Sequence, residues 1–152
     1  MIAAYAKNRV IGNKGRIPWD IPGEQSRFRE LTLGNVVIMG RRTYEEIGHP
    51  LPGRYTIVIS RTKRFEAENC TTMRSLKEAL EAAGERDIFI SGGERLYREA
   101  VETADVLYIT EVNAEPEGDT YFPEFPEEVF EKKIEKIVKG NIGYTYITYT
   151  RK

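Results

Sequence analysis

The sequence predicts an α/β fold, a central and mostly parallel sheet with helices on both faces and an antiparallel C-terminal hairpin. Three observations predict it. Short continuous apolar runs, such as Val36-Val37-Ile38-Met39, have the composition of strands covered on both faces. They alternate with helical patterns, and a recurring strand–helix–strand order is the signature of parallel pairing. The last third then changes to alternating apolar and polar residues around Gly140-Asn141-Ile142-Gly143, the pattern of a hairpin with one solvated face.

The elements follow in order. Ile2 to Ala6 is a short apolar run and reads as a buried strand. Residues 8 to 22 read as a long loop punctuated by Gly12, Gly15, Pro18 and Pro22, and long loops in small domains are often functional. Glu24 to Leu33 reads as a helix, with Glu24, Phe28, Leu31 and Thr32 on one side and Gly34 as its stop. After the strand at 36–39, Gly40 leads to a short helix from Thr43 to Ile47. Tyr55 to Ser60 is a second buried strand. Ser75 with Glu78 forms a capping box for a helix through Ala83, ended by Gly84. Asp87 to Ser91 is a strand, 94 to 102 a helix, and Val106 to Val112 a strand. Phe130 to Val138 and Tyr144 to Thr150 form the hairpin.

At 152 residues the chain is expected to be one domain spanning 1–152, with enough length to close a core. A net charge of -1 argues against a nucleic-acid or anionic-membrane partner. The single cysteine, Cys70, excludes an intramolecular disulfide, and with one histidine, His49, no metal site or Ser/His triad is expected. The start of the chain lacks a signal-peptide pattern, and no run approaches the roughly 18 apolar residues of a membrane span. The expectation is a reduced, cytoplasmic protein, monomeric in the absence of heptads or a long apolar edge.

Chemistry-bearing residues fall mainly where strands of a parallel sheet end, the usual place for ligands. Pro18-Trp19-Asp20-Ile21-Pro22-Gly23 runs into Glu24, an acid set beside apolar walls. Such an acid either stays protonated or holds a cationic heterocycle, although it can also simply complement a helix N-terminus. Gly40-Arg41-Arg42-Thr43 joins a strand to a helix and places two guanidiniums where a phosphate could bind. Ser60-Arg61-Thr62 could read a second phosphate, such as a cofactor 2′-phosphate, or could be an ordinary polar turn. Ser91-Gly92-Gly93-Glu94-Arg95-Leu96-Tyr97 lets backbone approach a pyrophosphate, or is a tight packing turn; it is not G-x-G-x-x-G. Arg54 follows the stiff Pro50-Leu51-Pro52-Gly53 turn, which could present it in fixed geometry to a carboxylate, or it is an ordinary exposed arginine in a turn. Trp19 and Phe28 could wall a planar ligand, though aromatics are more often plain core.

Together these segments resemble dihydrofolate reductase, in its bacterial form, over essentially the whole chain. The resemblance is carried by Ala3-Ala4 with Arg9-Val10-Ile11-Gly12, Ile17-Pro18-Trp19, Glu24 with Phe28, and Val37-Ile38-Met39-Gly40-Arg41 with Thr43. It continues through Ile47-Gly48, Pro50-Leu51-Pro52-Gly53-Arg54, Gly92-Gly93 with Tyr97, and Glu117-Gly118-Asp119-Thr120 with Phe122-Pro123. It implies the dihydrofolate-reductase-like fold, NADPH as cofactor, dihydrofolate as substrate and antifolates as inhibitors. Glu24, supported by Thr110, would hold the pterin, with Trp19 and Ile17 also at the catalytic centre. Ile2, Ala4, Phe28, Ile47 and Leu51 would wall the substrate, and Arg54 would grip its glutamate α-carboxylate. Residues 12 to 21 match a mobile loop closing over the nicotinamide, so Ala4, Ile11, Gly12, Asn13, Gly15, Arg16 and Ile17 are expected near the cofactor. Gly40, Arg41, Arg42, Thr43, Ser60 and Arg61 would hold its adenosine half and 2′-phosphate. Ser91, Gly92, Gly93, Glu94, Arg95, Leu96 and Tyr97 would form the pyrophosphate turn, with a cis bond between the two glycines and Thr120 close by.

Three positions depart from the commonest bacterial pattern: Glu24 stands in place of Asp, Gln25 in place of an apolar residue, and Arg27 where an aromatic can occur. Glu94 also stands where Gly or Ala is common. Gly23-Glu24-Gln25 is similar to the triplet of trimethoprim-insensitive reductases, which implies weak trimethoprim binding. Two other readings remain distinct: a same-fold reductase of another heterocycle, as in riboflavin synthesis, and a non-catalytic nucleotide-binding module. The first would not need Glu24 and Arg54 together, and the second would not need Glu24, Trp19 and Gly92-Gly93.

Overall fold

A computed structural model describes residues 1–152. The chain is α/β, and its strands pair as two four-stranded sheets and a two-stranded ribbon. It divides into two compact units, one formed by residues 23–96 and the other by 1–22 with 97–152.

The unit of residues 23–96 is built on an all-parallel sheet. It contains α1 (Glu24–Thr32), β3 (Val36–Gly40), α2 (Arg41–Ile47), β4 (Tyr55–Ile59), β5 (Cys70–Met73), α3 (Leu76–Ala83) and β6 (Ile88–Ile90), in the sheet order β5-β4-β3-β6. The remaining strands are β1 (Ile2–Ala6), β2 (Val10–Gly12), β7 (Val106–Val112), β8 (Thr120–Tyr121), β9 (Phe130–Val138) and β10 (Tyr144–Arg151). Val36 to Met39, Ile57 and Val58 are wholly buried, as continuous apolar strands require. Ser75 Oγ accepts the Glu78 N–H at 3.1 Å, so half of the expected capping box caps α3. The Glu78 carboxylate instead accepts the Arg74 N–H, at 3.1 Å.

The other unit is mixed. Its sheet has the order β1-β7-β10-β9, with β1 parallel to β7 and the remaining pairs antiparallel. Leu107, Ile109 and Val112 are wholly buried. Beside them lies an aromatic cluster in which Phe122 stacks on Tyr5 at 4.9 Å and contacts Tyr97 at 5.0 Å. The helix α4 (Glu94–Ala100) carries the chain from 94–96 into this unit.

Several expectations need correction. The loop at 8–22 contains β2, whose antiparallel partner β8 lies more than a hundred residues on. The short helix starts at Arg41, directly after Gly40, and α4 ends at Ala100, two residues early. The strand expected at 87–91 is confined to Ile88–Ile90, and the edge strand β5 was not foreseen. In β9 the expected alternation fails, because this edge strand is exposed from Glu131 to Ile137. A bulge near Glu135 puts Ile134 opposite Ile147 and Ile137 opposite Thr145, so two isoleucines three residues apart share one face.

Candidate active site

The cofactor-type residues of the 23–96 unit meet at the carboxyl ends of β3 and β6. Parallel pairing sets Ile38 beside Ile90. Ser91 N–H then donates to Ile38 O at 3.0 Å, and Gly40 N–H to Gly92 O at 2.8 Å. The Gly92–Gly93 peptide is cis, as the resemblance implied. A side chain added at Gly40 would lie 3.7 Å from both Gly92 O and Gly93 N, and one at Gly93 would lie 3.6 Å from Thr43 Oγ1. The bare backbone thus leaves a methyl-sized space between Gly40 and the turn. Ser91 Oγ is buried without a hydrogen-bond partner in the chain. Glu94 and Leu96 are half-buried and buried on α4, and Arg95 is exposed.

Positive charge flanks this turn. Arg41 pairs through Nε with Glu45 at 2.7 Å and donates from NH1 to Thr62 Oγ1 at 3.0 Å. Arg42 and Arg61 are exposed. Ser60 is buried, and its hydroxyl accepts the Lys63 N–H at 3.1 Å, within its own turn.

Glu24 opens α1, half-buried, with its Oε2 atom inaccessible to water. One turn later Phe28 is half-buried, as are Ile47 and Leu51. Arg54 is only 8% exposed. Its Nε donates to Pro52 O at 3.0 Å, NH1 donates to Thr32 Oγ1 at 3.3 Å, and its guanidinium carbon lies 5.8 Å from the Phe28 ring centroid. Burial first, and the nearby Arg29 cation second, lower its pKa from the ordinary arginine value. No carboxylate of the chain pairs with it. A buried guanidinium with no counter-ion is costly to maintain, and an incoming carboxylate would offset that cost.

In the other unit, Ile2 and Ala4 stand on β1 opposite Tyr108 and Thr110, with Thr110 1% exposed. The Tyr97 hydroxyl, expected at the cofactor turn, donates to Ile2 O at 2.8 Å, and burial raises its pKa above the usual phenol range. Asn13 and Arg16 close a turn by two reciprocal backbone hydrogen bonds around Lys14-Gly15. Ile11 is half-buried, Trp19 is half-buried, and Ile17 is 66% exposed. The segment 118–120 anchors this turn. Asp119 N–H donates to Gly12 O at 3.0 Å, Asp119 Oδ2 accepts the Lys14 N–H at 2.9 Å, and Thr120 Oγ1 lies 2.7 Å from where a Gly12 side chain would begin.

Sequence reasoning overlooked Thr32 and Asp119 as parts of these clusters. Thr32 was legible only as an inward position of α1. Asp119 lies within Glu117-Gly118-Asp119-Thr120, where no local pattern marks it as a partner of residues 12–14.

An α/β chain with a glycine turn at parallel strand ends and a buried, unpaired arginine has the form of a nucleotide-dependent enzyme acting on an anionic substrate. Residues 1–151 match the family model described as dihydrofolate reductase. The chain is 39% identical over 154 residues to dihydrofolate reductase type A13 of Escherichia coli, covering all of this chain and 93% of that one. It is 44% identical over 126 residues to dihydrofolate reductase type 3 of Salmonella typhimurium, covering 82% of this chain and 78% of the relative. Among solved structures, dihydrofolate reductase from Enterococcus faecalis, complexed with NADP(H) and RAB-propyl, superposes with a TM-score of 0.89 at 35% identity, over 99% of this chain and 94% of that one. The chain belongs to the dihydrofolate reductase family.

Proposed function

We propose that this protein reduces 7,8-dihydrofolate to 5,6,7,8-tetrahydrofolate with NADPH, supplying one-carbon metabolism. The observation that carries the reading is Arg54, a buried guanidinium without a counter-ion in a chain matching the family from residue 1 to 151. Its planar fork suits a bidentate carboxylate, which the glutamate end of dihydrofolate supplies. Glu24 accepts hydrogen bonds from the 2-amino and N3 side of the pterin and stabilises the ring when N5 is protonated, with Thr110 in support. Ile2, Ala4, Phe28, Ile47 and Leu51 supply apolar walls.

The residues present fit a dinucleotide. The methyl-sized space at Gly40, the bare Gly92-Gly93 backbone and the unpartnered Ser91 hydroxyl suit a pyrophosphate-bearing group. Gly40 to Thr43, Ser60, Arg61 and the residues from Ser91 to Tyr97 would hold it, together with Ala4, Ile11 to Asn13, Gly15 to Ile17 and Thr120. When bound, NADPH supplies the hydride that goes to C6 of the substrate. The chain orients the two rings. Residues 12 to 21, with Ile17 and Trp19, exclude bulk water, and a single admitted water delivers the proton to N5.

We further propose weak trimethoprim binding. Gln25 is exposed on α1, so that reading rests on Glu24, whose longer acid would reshape the diaminopyrimidine seat. The protein is proposed to work as one monomeric domain in the cytoplasm. No helix is long and apolar enough to cross a membrane.

The test is loss of NADPH absorbance on adding dihydrofolate, with Glu24→Gln alongside and with trimethoprim titrated in. Oxidation by the wild type that falls sharply in Glu24→Gln supports the reading. NADPH binding without oxidation refutes the substrate. Inhibition in the low-nanomolar range refutes the trimethoprim proposal alone.

A further inference from the structure

We infer that Thr32 is a positioning residue for substrate capture, holding the Arg54 guanidinium in the plane that takes a carboxylate with two hydrogen bonds. The inference rests on the proposed role of Arg54 and concerns a residue that neither touches the substrate nor was foreseen from the sequence.

Thr32 closes α1 with a side chain that is wholly buried, a costly place for a hydroxyl unless both its hydrogen and its lone pairs are used. Both are used. Oγ1 donates to Phe28 O at 2.7 Å, one helical turn back. That bond fixes the hydroxyl hydrogen, so lone pairs are what Oγ1 presents to Arg54 NH1 at 3.3 Å. Arg54 is therefore held at two points, NH1 by Thr32 and Nε by Pro52 O, and its carbon centre lies over the Phe28 ring. A planar group tied at two of its nitrogens and lying over a ring cannot rotate freely. The donors left over then point in a fixed direction, so a carboxylate arrives without the entropy cost of ordering a long side chain. The link spans 22 residues and joins the end of α1 to the turn before β4, the same two segments that Gly34 N–H and Gly53 O tie at 2.8 Å.

A merely structural threonine would affect every substrate alike, whereas a positioning one affects only substrates with a carboxylate. The experiment measures kcat and KM for Thr32→Val, Thr32→Ser and Arg54→Ala on dihydrofolate, and on a 7,8-dihydropterin lacking the benzoylglutamate tail. Thr32→Val keeps the shape of the side chain and removes the acceptor. Its KM for dihydrofolate is expected to rise about five- to tenfold, the loss of roughly one hydrogen bond's worth of positioning, with kcat moving less than twofold. Thr32→Ser should restore most of the KM, and KM for the truncated pterin should not follow. In the Arg54→Ala background, Thr32→Val should add nothing further. Where Thr32→Val does not fold, Thr32→Ala in the same comparison decides. An unchanged KM for dihydrofolate in a folded variant, or equal damage to both substrates, overturns the inference. Failure of Arg54→Ala itself to raise KM for dihydrofolate overturns the carboxylate reading instead.

Discussion

Gly118→Ala, at the one glycine of the 116–123 segment that anchors residues 8–16, should destabilise the protein. A side chain begun at Gly118 would collide with one methyl of Val10 and sit 2.9 Å from the other and 2.8 Å from Gly12 O. Val10 is 1% exposed and held in the ladder with Tyr121, so neither it nor the Gly12 carbonyl can simply turn aside. The 116–119 backbone must move instead. That movement strains the Asp119 N–H bond to Gly12 O and the Lys14 N–H bond to Asp119 Oδ2. Overpacking costs about 1–3 kcal/mol, and each weakened hydrogen bond about 1 kcal/mol more. The expected loss is about 3–5 kcal/mol, or roughly 9–16 °C in Tm for a chain of this size. Urea unfolding followed by the single tryptophan, Trp19, reads it directly. Gly140→Ala is the control, since nothing lies within 4 Å of its added carbon, and it should stay within about 0.5 kcal/mol of wild type. Equal stability of the two variants would refute the claim that 116–119 is locked against β2.

Other outcomes follow from the same reasoning. Gly40→Ala fills the space beside the Gly92–Gly93 turn without a clash below 3.7 Å, so stability should change by less than about 1 kcal/mol, while NADPH affinity measured by fluorescence falls at least about tenfold. Burial raises the phenol pKa of Tyr5, Tyr97 and Tyr149 in the folded state, so their stabilising contribution is fully present below the ordinary value of 10.0 and is lost as pH rises beyond it. An ultraviolet titration should therefore show these phenols ionising together with alkaline unfolding rather than before it. The Cys70 thiol is buried and its pKa is raised, first by burial, so Ellman's reagent at pH 8 should label it slowly in the native protein and rapidly in urea.

What the sequence made legible was local. Ser75 and Glu78 lie in one turn and need no knowledge of the rest of the chain to cap α3. The wholly apolar run Val36 to Met39 announces its own burial. β5 made no such announcement. Cys70-Thr71-Thr72-Met73 is short and half polar, and becomes a strand because β4 offers it a ladder from Thr56 to Ile59. The face reversal in β9 depends on one unpaired residue near Glu135, and periodicity read along the chain assumes that no such residue exists.

The same division runs through the site. Arg54 was legible because a stiff turn presenting a guanidinium is a local pattern. Thr32, 22 residues away, acquires its role only from the arginine it meets. The segment proposed to close over the cofactor shows the effect most strongly. Asn8 Nδ2 donates to Pro116 O at 2.8 Å, Arg9 NH1 to Pro123 O at 2.9 Å, and Lys14 N–H to Asp119 Oδ2 at 2.9 Å, across separations of 105 to 114 residues. Read along the chain, the 8–16 segment is part of a long loop punctuated by glycines. It is tied to residues 116–123 by these hydrogen bonds, and no local pattern in either segment announces the pairing. On the proposed role of 12–21, its closing over the cofactor should therefore respond to substitutions at Gly118 and Asp119 as much as to substitutions within the loop itself.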